Sequence, residues 1–230
     1  MAMKLKRAAK PPPKYTLLND RNYAYLCAQR SHARGAVLDS LRARTEALGE
    51  ISMMQIGREQ GAFMTLLVAA IGARDAIEIG TFTGYSAICI ARGLPRDGRL
   101  LCLDMSEEWT AIARKYWARA GVEKKIELRL GPAQQSLNKM ETGRKFDFAF
   151  IDADKPGYDA YYEAVLPRMR RNGLILFDNM LWGGRLVGQR HIAHANGRAV
   201  DKLNRKLAKD NRVESVLLPL ADGVSVCRVL

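Results

Sequence analysis

Short apolar runs alternating with helix-like stretches from Asp75 onward predict an α/β fold, a mostly parallel sheet with helices on both faces. The runs are mostly apolar rather than alternating, as in strands covered on both sides. The chain's 230 residues, 48% apolar and 27% charged, suit one folded core, since single cores stop growing near ~250 residues. That composition excludes disorder throughout. The longest nearly apolar run, Ala62 to Ile71, falls far short of the ~20 residues of a membrane-spanning helix. The basic N-terminus leads into Pro11-Pro12-Pro13 rather than an apolar segment, so no secretory signal is expected. The expectation is a cytoplasmic protein with no membrane partner.

In chain order, residues 1–18 read as a basic, proline-containing tail expected to be disordered, and 19–230 as a single domain. Within that domain, 19–72 are helical and 73–230 form the α/β core. Asn19 or Asp20 can cap a helix through about Arg30, and Ala36–Leu48 spaces Val37, Leu38, Leu41 and Leu48 at mostly helical intervals. A third helix, about Glu59–Ile71, stops at Gly72. Then strands over Ala76–Ile79, Leu100–Leu103, Ile126–Leu130, Phe146–Ile151 and Leu174–Phe177 alternate with helices. Those helices cover Tyr85–Arg92, Glu107–Arg119, Ala133–Met140 and Tyr158–Met169. A helix near Ala193–Lys209 follows. Val213–Leu218 and Val224–Val229, joined through Pro219-Leu-Ala-Asp-Gly223, predict an antiparallel hairpin at the sheet edge.

The net charge is +13, from 37 Lys and Arg against 24 Asp and Glu. Lys4, Lys6, Arg7, Lys10 and Lys14 concentrate part of it in the tail. A solvated tail and an electrostatic arm for RNA both fit; the absence of an interleaved aromatic before Tyr15 favours the first. Arg168, Arg170 and Arg171, and Lys202, Arg205, Lys206 and Lys209, form two further basic sets, the second at the spacing of an exposed helix face. Cys27, Cys89, Cys102 and Cys227 are scattered without a C-x-x-C pair, which reads as buried small residues in a reducing compartment. Of the histidines, His32 stands alone. His191 and His194 are three apart, but two ligands do not complete a zinc site.

In an open α/β sheet, ligands sit beyond the carboxyl ends of the strands. The first strand ends in Glu78-Ile-Gly80-Thr-Phe-Thr-Gly84-Tyr85-Ser86, whose G-x-x-x-G spacing differs from the G-x-G-x-x-G that cradles a pyrophosphate. A glycine turn opened by an acid, followed by Asp104 at the next strand end, suits a cofactor with a ribose and no phosphate; S-adenosyl-L-methionine is the best candidate. The plainer alternative is a tight turn, with Asp104 capping the next helix. Further on, Asp152 and Asp154 end the fourth strand, and Asp178 and Asn179 the fifth. Neighbouring strands lie about 4.8 Å apart, so Asp152, Asp178 and Asn179 can offer three oxygens to one point. Oxygen ligands without His or Cys select Mg²⁺, Mn²⁺ or Ca²⁺. On spacing alone, a metal and a pair of structural caps fit equally well.

Taken together, these stretches resemble the cation-dependent class I O-methyltransferases, similar to the caffeoyl-CoA and catechol enzymes. The matching residues are Met54-Gln-Ile56 with Glu59-Gln-Gly61, the run Ile77–Ser86, Leu94-Pro-Arg-Asp-Gly98, Ala120-Gly121 and Gly131-Pro-Ala133. Phe146–Lys155 with its Ile-Asp-Ala-Asp-Lys core, Asp178-Asn-Met-Leu-Trp182 and Leu220-Ala-Asp-Gly223 complete the set. They run in order from about residue 50 to the C-terminus. The resemblance implies a Rossmann-like class I methyltransferase fold, with a seven-stranded sheet whose last strand is antiparallel. It implies that Ile56, Glu78, Gly80, Thr81, Ser86, Asp104, Met105, Ala133, Asp152 and Asp154 line the S-adenosyl-L-methionine site, with Asp104 on the ribose and Met105 against the adenine. Asp152, Asp178 and Asn179 are the implied metal ligands, and Lys155 the candidate general base.

The activity implied is transfer of a methyl group to a hydroxyl of a small catechol-like aromatic. A phenol, with a pKa near ~10, is a poor nucleophile until a metal or base acts on it. An alternative, from bacterial members resembling this family, is methylation of 5-hydroxyuridine in tRNA, which the positive charge favours. A structural reading of Lys155 as the salt-bridge partner of Asp154 or Asp159 stands beside its catalytic one. Gly183 follows Trp182 where the plant enzymes carry an Asn that meets the substrate, a departure that bears on a caffeoyl-CoA acceptor. The Gly- and Arg-rich segment Leu181–Asn196 is expected to form a flap over the acceptor, and a homodimer is the family expectation.

Overall fold

A computed structural model describes residues 14–31, 35–141, 143–188 and 192–230. The chain divides into two compact units at Arg30 and Ser31. Of the expected tail, residues 1–13 lie outside the described residues. The first unit contains helix α1 (Asp20–Ala28), capped by Asn19, whose side chain accepts from the Asn22 N–H.

The second unit begins with α2 (Ala36–Glu46) and α3 (Arg58–Ala70). The alternating core follows as β1 (Asp75–Ile79), α4 (Tyr85–Gly93), β2 (Arg99–Asp104), α5 (Glu107–Arg119), β3 (Ile126–Leu130) and α6 (Ala133–Asn138). It continues through β4 (Phe146–Ile151), α7 (Tyr158–Val165), β5 (Met169–Phe177), α8 (Ala195–Leu207), β6 (Val213–Leu218) and β7 (Val224–Val229). The seven strands lie in the order β3-β2-β1-β4-β5-β7-β6. All neighbours are parallel except β7, which runs antiparallel to both β5 and β6. The expected hairpin is therefore present, and its second strand, not its first, joins the sheet.

The two faces of the sheet follow the period-two alternation of strand side chains. Ala76, Leu100, Cys102, Phe148, Phe150, Leu174 and Leu176 pack toward Met64, Val68, Ile88 and Trp117 of α3, α4 and α5. Ile77, Ile79, Leu101, Leu103, Ala149, Ile151, Ile175 and Phe177 pack toward Leu137, Tyr158, Tyr162, Val200 and Leu203 of α6, α7 and α8. Covering both faces buries every residue of β4. The edge strands β3 and β6 instead carry exposed Glu127, Arg129 and Glu214, which discourage pairing with other chains.

Several element ends differ from expectation. The helix expected through Met169 stops at Val165 and tightens into a 3₁₀ turn over Leu166–Arg168, because Pro167 has no N–H to continue it. Met169 instead opens β5, a nine-residue strand longer than the Leu174–Phe177 run; Asn172 takes a left-handed φ of 63° and the register against β4 shifts there. The helix expected from Ala193 begins at Ala195, where the His194 side chain accepts from the Asn196 N–H. His32 and His191 lie outside the described residues.

The second basic set is an exposed helix face. Val200, Leu203 and Leu207 of α8 are buried, while Lys202 and Lys206 pair with Asp159, and Arg205 pairs with Asp201. Arg170 pairs with Asp147 at 2.7 Å. Cys89, Cys102 and Cys227 are buried free thiols, and Cys27 is half-buried. Among the described residues, no helix is long and apolar enough to cross a membrane.

Candidate functional site

The strand order reverses between β1 and β4, and the carboxyl ends of β1, β2, β4 and β5 open there into a cavity of about 780 Å³. On one side stands the loop from β1 to α4. Gly80 has a φ of 89°, and a Cβ there would lie 2.1 Å from the Asp152 carbonyl oxygen, so only glycine lets this turn pass the end of β4. Asp104 ends β2 and anchors the loop. Its Oδ2 accepts from the Thr81 and Phe82 N–H groups at 2.8 and 2.9 Å, and its Oδ1 from the Ser106 N–H at 2.7 Å. The cap of α5 is Ser106, whose Oγ accepts from the Trp109 N–H, so Asp104 remains at the cavity wall without serving as that cap.

Ile56, Gly80, Thr81, Ser86, Asp104, Met105, Ala133, Asp152 and Asp154 all line the cavity. Glu78 does not. It lies fully buried beneath the loop, where Thr81 Oγ1 donates to its Oε2 at 2.9 Å and Cys102 Sγ at 3.3 Å. Burial raises its carboxyl to about 7, against the lowering effect of Ser86, Thr81 and Cys102, and its Oε1 has no hydrogen-bond partner. Ile56 is buried and offers its carbonyl to Arg42 at 2.6 Å, while Met105 is 74% exposed at the rim.

The other side is acidic. Asp152 and Asp178 each follow the last residue of adjacent, parallel β4 and β5. Asp178 is buried, and desolvation together with the charge of Asp152 raises it to about 7. Asn179 has a left-handed φ of 58°; its N–H donates to Asp178 Oδ1 at 2.6 Å, and its Nδ2 approaches Asp222 Oδ2 at 3.4 Å. Lys155 Nζ donates to Asp152 Oδ1 and to Tyr158 Oη, each at 2.8 Å, and the Tyr158 hydroxyl donates to the Asp178 carbonyl. The lysine's carboxylate partner is thus Asp152, in place of the Asp154 or Asp159 pairing considered from sequence. Asp154 accepts from Tyr161 Oη and the Gly157 N–H, and Asp159 is taken by Lys206.

Among the described residues no cluster of three His, Cys, Asp or Glu side chains is gathered. The candidate donor set is two carboxylates and the Asn179 amide. A buried Asp178, raised by desolvation and by the neighbouring charge of Asp152, makes a site where positive charge is favoured, and all-oxygen donors suit a hard cation.

Sequence reasoning gave no role to Gln55, Gln60, Trp109, Arg185 or Asp222, all of which line the cavity. Asp222, in the β6–β7 loop, clamps the start of the expected flap. Its Oδ1 accepts from the Gly183 N–H at 2.6 Å and its carbonyl from the Leu181 N–H at 2.8 Å. Within the flap, Trp182, Arg185 and Asn196 line the cavity; residues 189–191 lie outside the described residues.

An O-methyltransferase family model matches residues 28–230, beginning upstream of the first sequence motif at Met54. A probable caffeoyl-CoA O-methyltransferase of Dictyostelium discoideum is 41% identical over 180 residues, covering 77% of this chain and 78% of the relative. The caffeoyl-CoA O-methyltransferase of Zinnia elegans is 34% identical over 225 residues, 94% and 91% of the two chains. Among solved structures, an O-methyltransferase from Bacillus cereus in complex with SAH superposes with a TM-score of 0.78 at 32% identity, over 85% of this chain and 91% of that one.

Proposed function

The chain belongs to the O-methyltransferase family, and on that premise we propose that it transfers the methyl group of S-adenosyl-L-methionine to one hydroxyl of a small vicinal dihydroxy aromatic, with a divalent cation bound by Asp152, Asp178 and Asn179. The observation that carries this reading is the cavity itself: a glycine loop with a ribose-compatible acid at one end, and two carboxylates at adjacent strand ends at the other.

The residues fit both groups. Asp104 has acceptor capacity left beyond its three backbone donors, Met105 and Trp109 offer an apolar rim for a flat base, and the unpartnered Glu78 Oε1 marks a buried acceptor under the loop. Asp152, Asp178 and Asn179 bring oxygen donors of the kind Mg²⁺ takes. When bound, such a cation supplies Lewis acidity toward two adjacent phenolic oxygens and fixes their position. The chain's own residues do the rest. Lys155 stands at the cavity wall, held by Asp152 and Tyr158; with Asp152 engaged elsewhere and its own proton released to solvent, the neutral amine is the side chain placed to receive the acceptor's proton. The Asp222 clamp on Gly183 holds the flap's first turn beside the acceptor end, and alignment of donor and acceptor supplies much of the acceleration.

The test is transfer of labelled methyl to a panel of catechols and hydroxycinnamates, with Mg²⁺ and with EDTA. EDTA-sensitive product on vicinal diols is expected. Equal product on monophenols in EDTA would sink the cation-dependent reading.

A further inference from the structure

Gln60, the third residue of α3, is only 1% exposed, yet it forms part of the cavity wall together with Asp152, Asp178 and Asn179. Its amide faces the Asp178 carboxyl within that wall. Even so, neither Nε2 nor Oε1 makes a well-formed hydrogen bond within the protein. Buried polar side-chain atoms are nearly always paired, and each stranded group costs about 1–3 kcal/mol. Methionine has similar length and would fill the same space without that cost, so packing of α3 does not account for a glutamine here.

An amide offers two N–H donors and one oxygen acceptor. The Asp178 carboxylate can satisfy only a donor. Oε1 needs an O–H or N–H and has none within the protein, where Lys155 Nζ turns two of its three donors to Asp152 and Tyr158 and the Asn179 N–H goes to Asp178. A molecule entering the cavity at the carboxylate pair can supply the missing donor.

We propose that Gln60 is a positioning residue of the carboxylate centre: its Nε2–H donates to Asp178, and its Oε1 accepts from a hydroxyl or water held there with the cation. This inference rests on the cation reading above. It assigns to α3 the task of orienting Asp178 and of recognising a protonated oxygen ligand, which distinguishes a hydroxyl-bearing acceptor from an ether of the same shape.

The test compares the full-length protein with Gln60→Met and Gln60→Glu, each saturated with S-adenosylhomocysteine. Mn²⁺ is titrated in and read by loss of its free-ion paramagnetic resonance signal. Groups that orient metal ligands typically change metal affinity about 10–100-fold when removed. Gln60→Met is expected to bind Mn²⁺ roughly tenfold more weakly, with unchanged S-adenosylhomocysteine affinity and a metal-free Tm equal to or above wild type. Gln60→Glu, which keeps the oxygen acceptor, is expected to match or exceed wild-type Mn²⁺ affinity. Wild-type Mn²⁺ affinity in Gln60→Met, or loss in both variants, overturns the proposal; so does a Gln60→Met protein that fails to fold, since the amide would then be structural. Failure of the wild-type protein to bind Mn²⁺ overturns the cation reading itself, a result distinct from either.

Discussion

At the β1–β2 end of the crevice, Asp104 accepts three backbone N–H groups, whereas at the β4–β5 end Asp178 shares a buried space with a second carboxylate, Asp152. The first arrangement is complete before anything binds. Its loop is pinned, its glycine is forced into place by a neighbouring backbone, and its ligand finds a finished surface. The second is held in tension by like charge, eased by Lys155 on Asp152 and by the Asn179 N–H on Asp178. One half can recognise a neutral or polar molecule by shape, while the other favours positive charge.

The comparison breaks most visibly at Asp178. Asp178→Ala is expected to lower cation-dependent turnover by about 10³-fold, the scale of losing a principal electrostatic contact, with cofactor affinity within about twofold. Calorimetry with S-adenosylhomocysteine and a turnover assay decide it; equal loss of both in a folded protein would merge the two halves.

Gly80→Ala attacks a point where the halves touch, because its Cβ would strike the Asp152 carbonyl at 2.1 Å. A loss of about 2–4 kcal/mol of stability is expected, with weaker binding of both cofactor and cation. Urea unfolding and two titrations read it, and a change confined to one ligand would show that the contact is not shared.

Asp104→Ala is expected to weaken cofactor binding about 10–100-fold, as for lost hydrogen bonds to a charged group, and to leave Mn²⁺ affinity unchanged. Unchanged cofactor affinity would remove Asp104 from the site.

The smallest effect is a slope. Glu78 titrates near 7 when folded against an ordinary 4.5, because burial disfavours its charge. Between those values the folded state holds the proton more tightly, so cofactor-free stability falls as pH rises from about 4.5 to 7. Glu78→Gln should flatten that decline in Tm measured across the window; an undiminished slope would assign it to other groups.

What could be read from the sequence follows the same division. β4 was legible to the residue, since five apolar residues around Asp147, buried on both faces, leave one reading. So was the family of loop and strand-end acids, which sit beside their strands in sequence. The start of β5 was not. Met169-Arg-Arg-Asn continues a helical pattern, and only Pro167 and pairing with Phe146 turn it into strand. Glu78 was expected at the cavity wall, but strand parity sends its side chain into the α3–α5 layer, with Ala76 on the same face. Gln60 and Asp222 carried no local signal of their role. They meet Asp178 and Gly183 across more than a hundred and about forty residues, and such separations leave no spacing to recognise.

The insertion of β7 between β5 and β6 sets a timetable for synthesis. β5 ends at Phe177, but the strand that closes its free side begins at Val224. At ribosomal rates of ~5–20 residues per second, the nascent chain carries β5 as an open edge for several seconds. During that interval the strand that leads into Asp178 presents unpaired backbone groups to any neighbouring chain. The acidic end of the crevice is thus the last part of the molecule to be sealed, and the part most exposed to chaperones or to misassembly while the protein is being made.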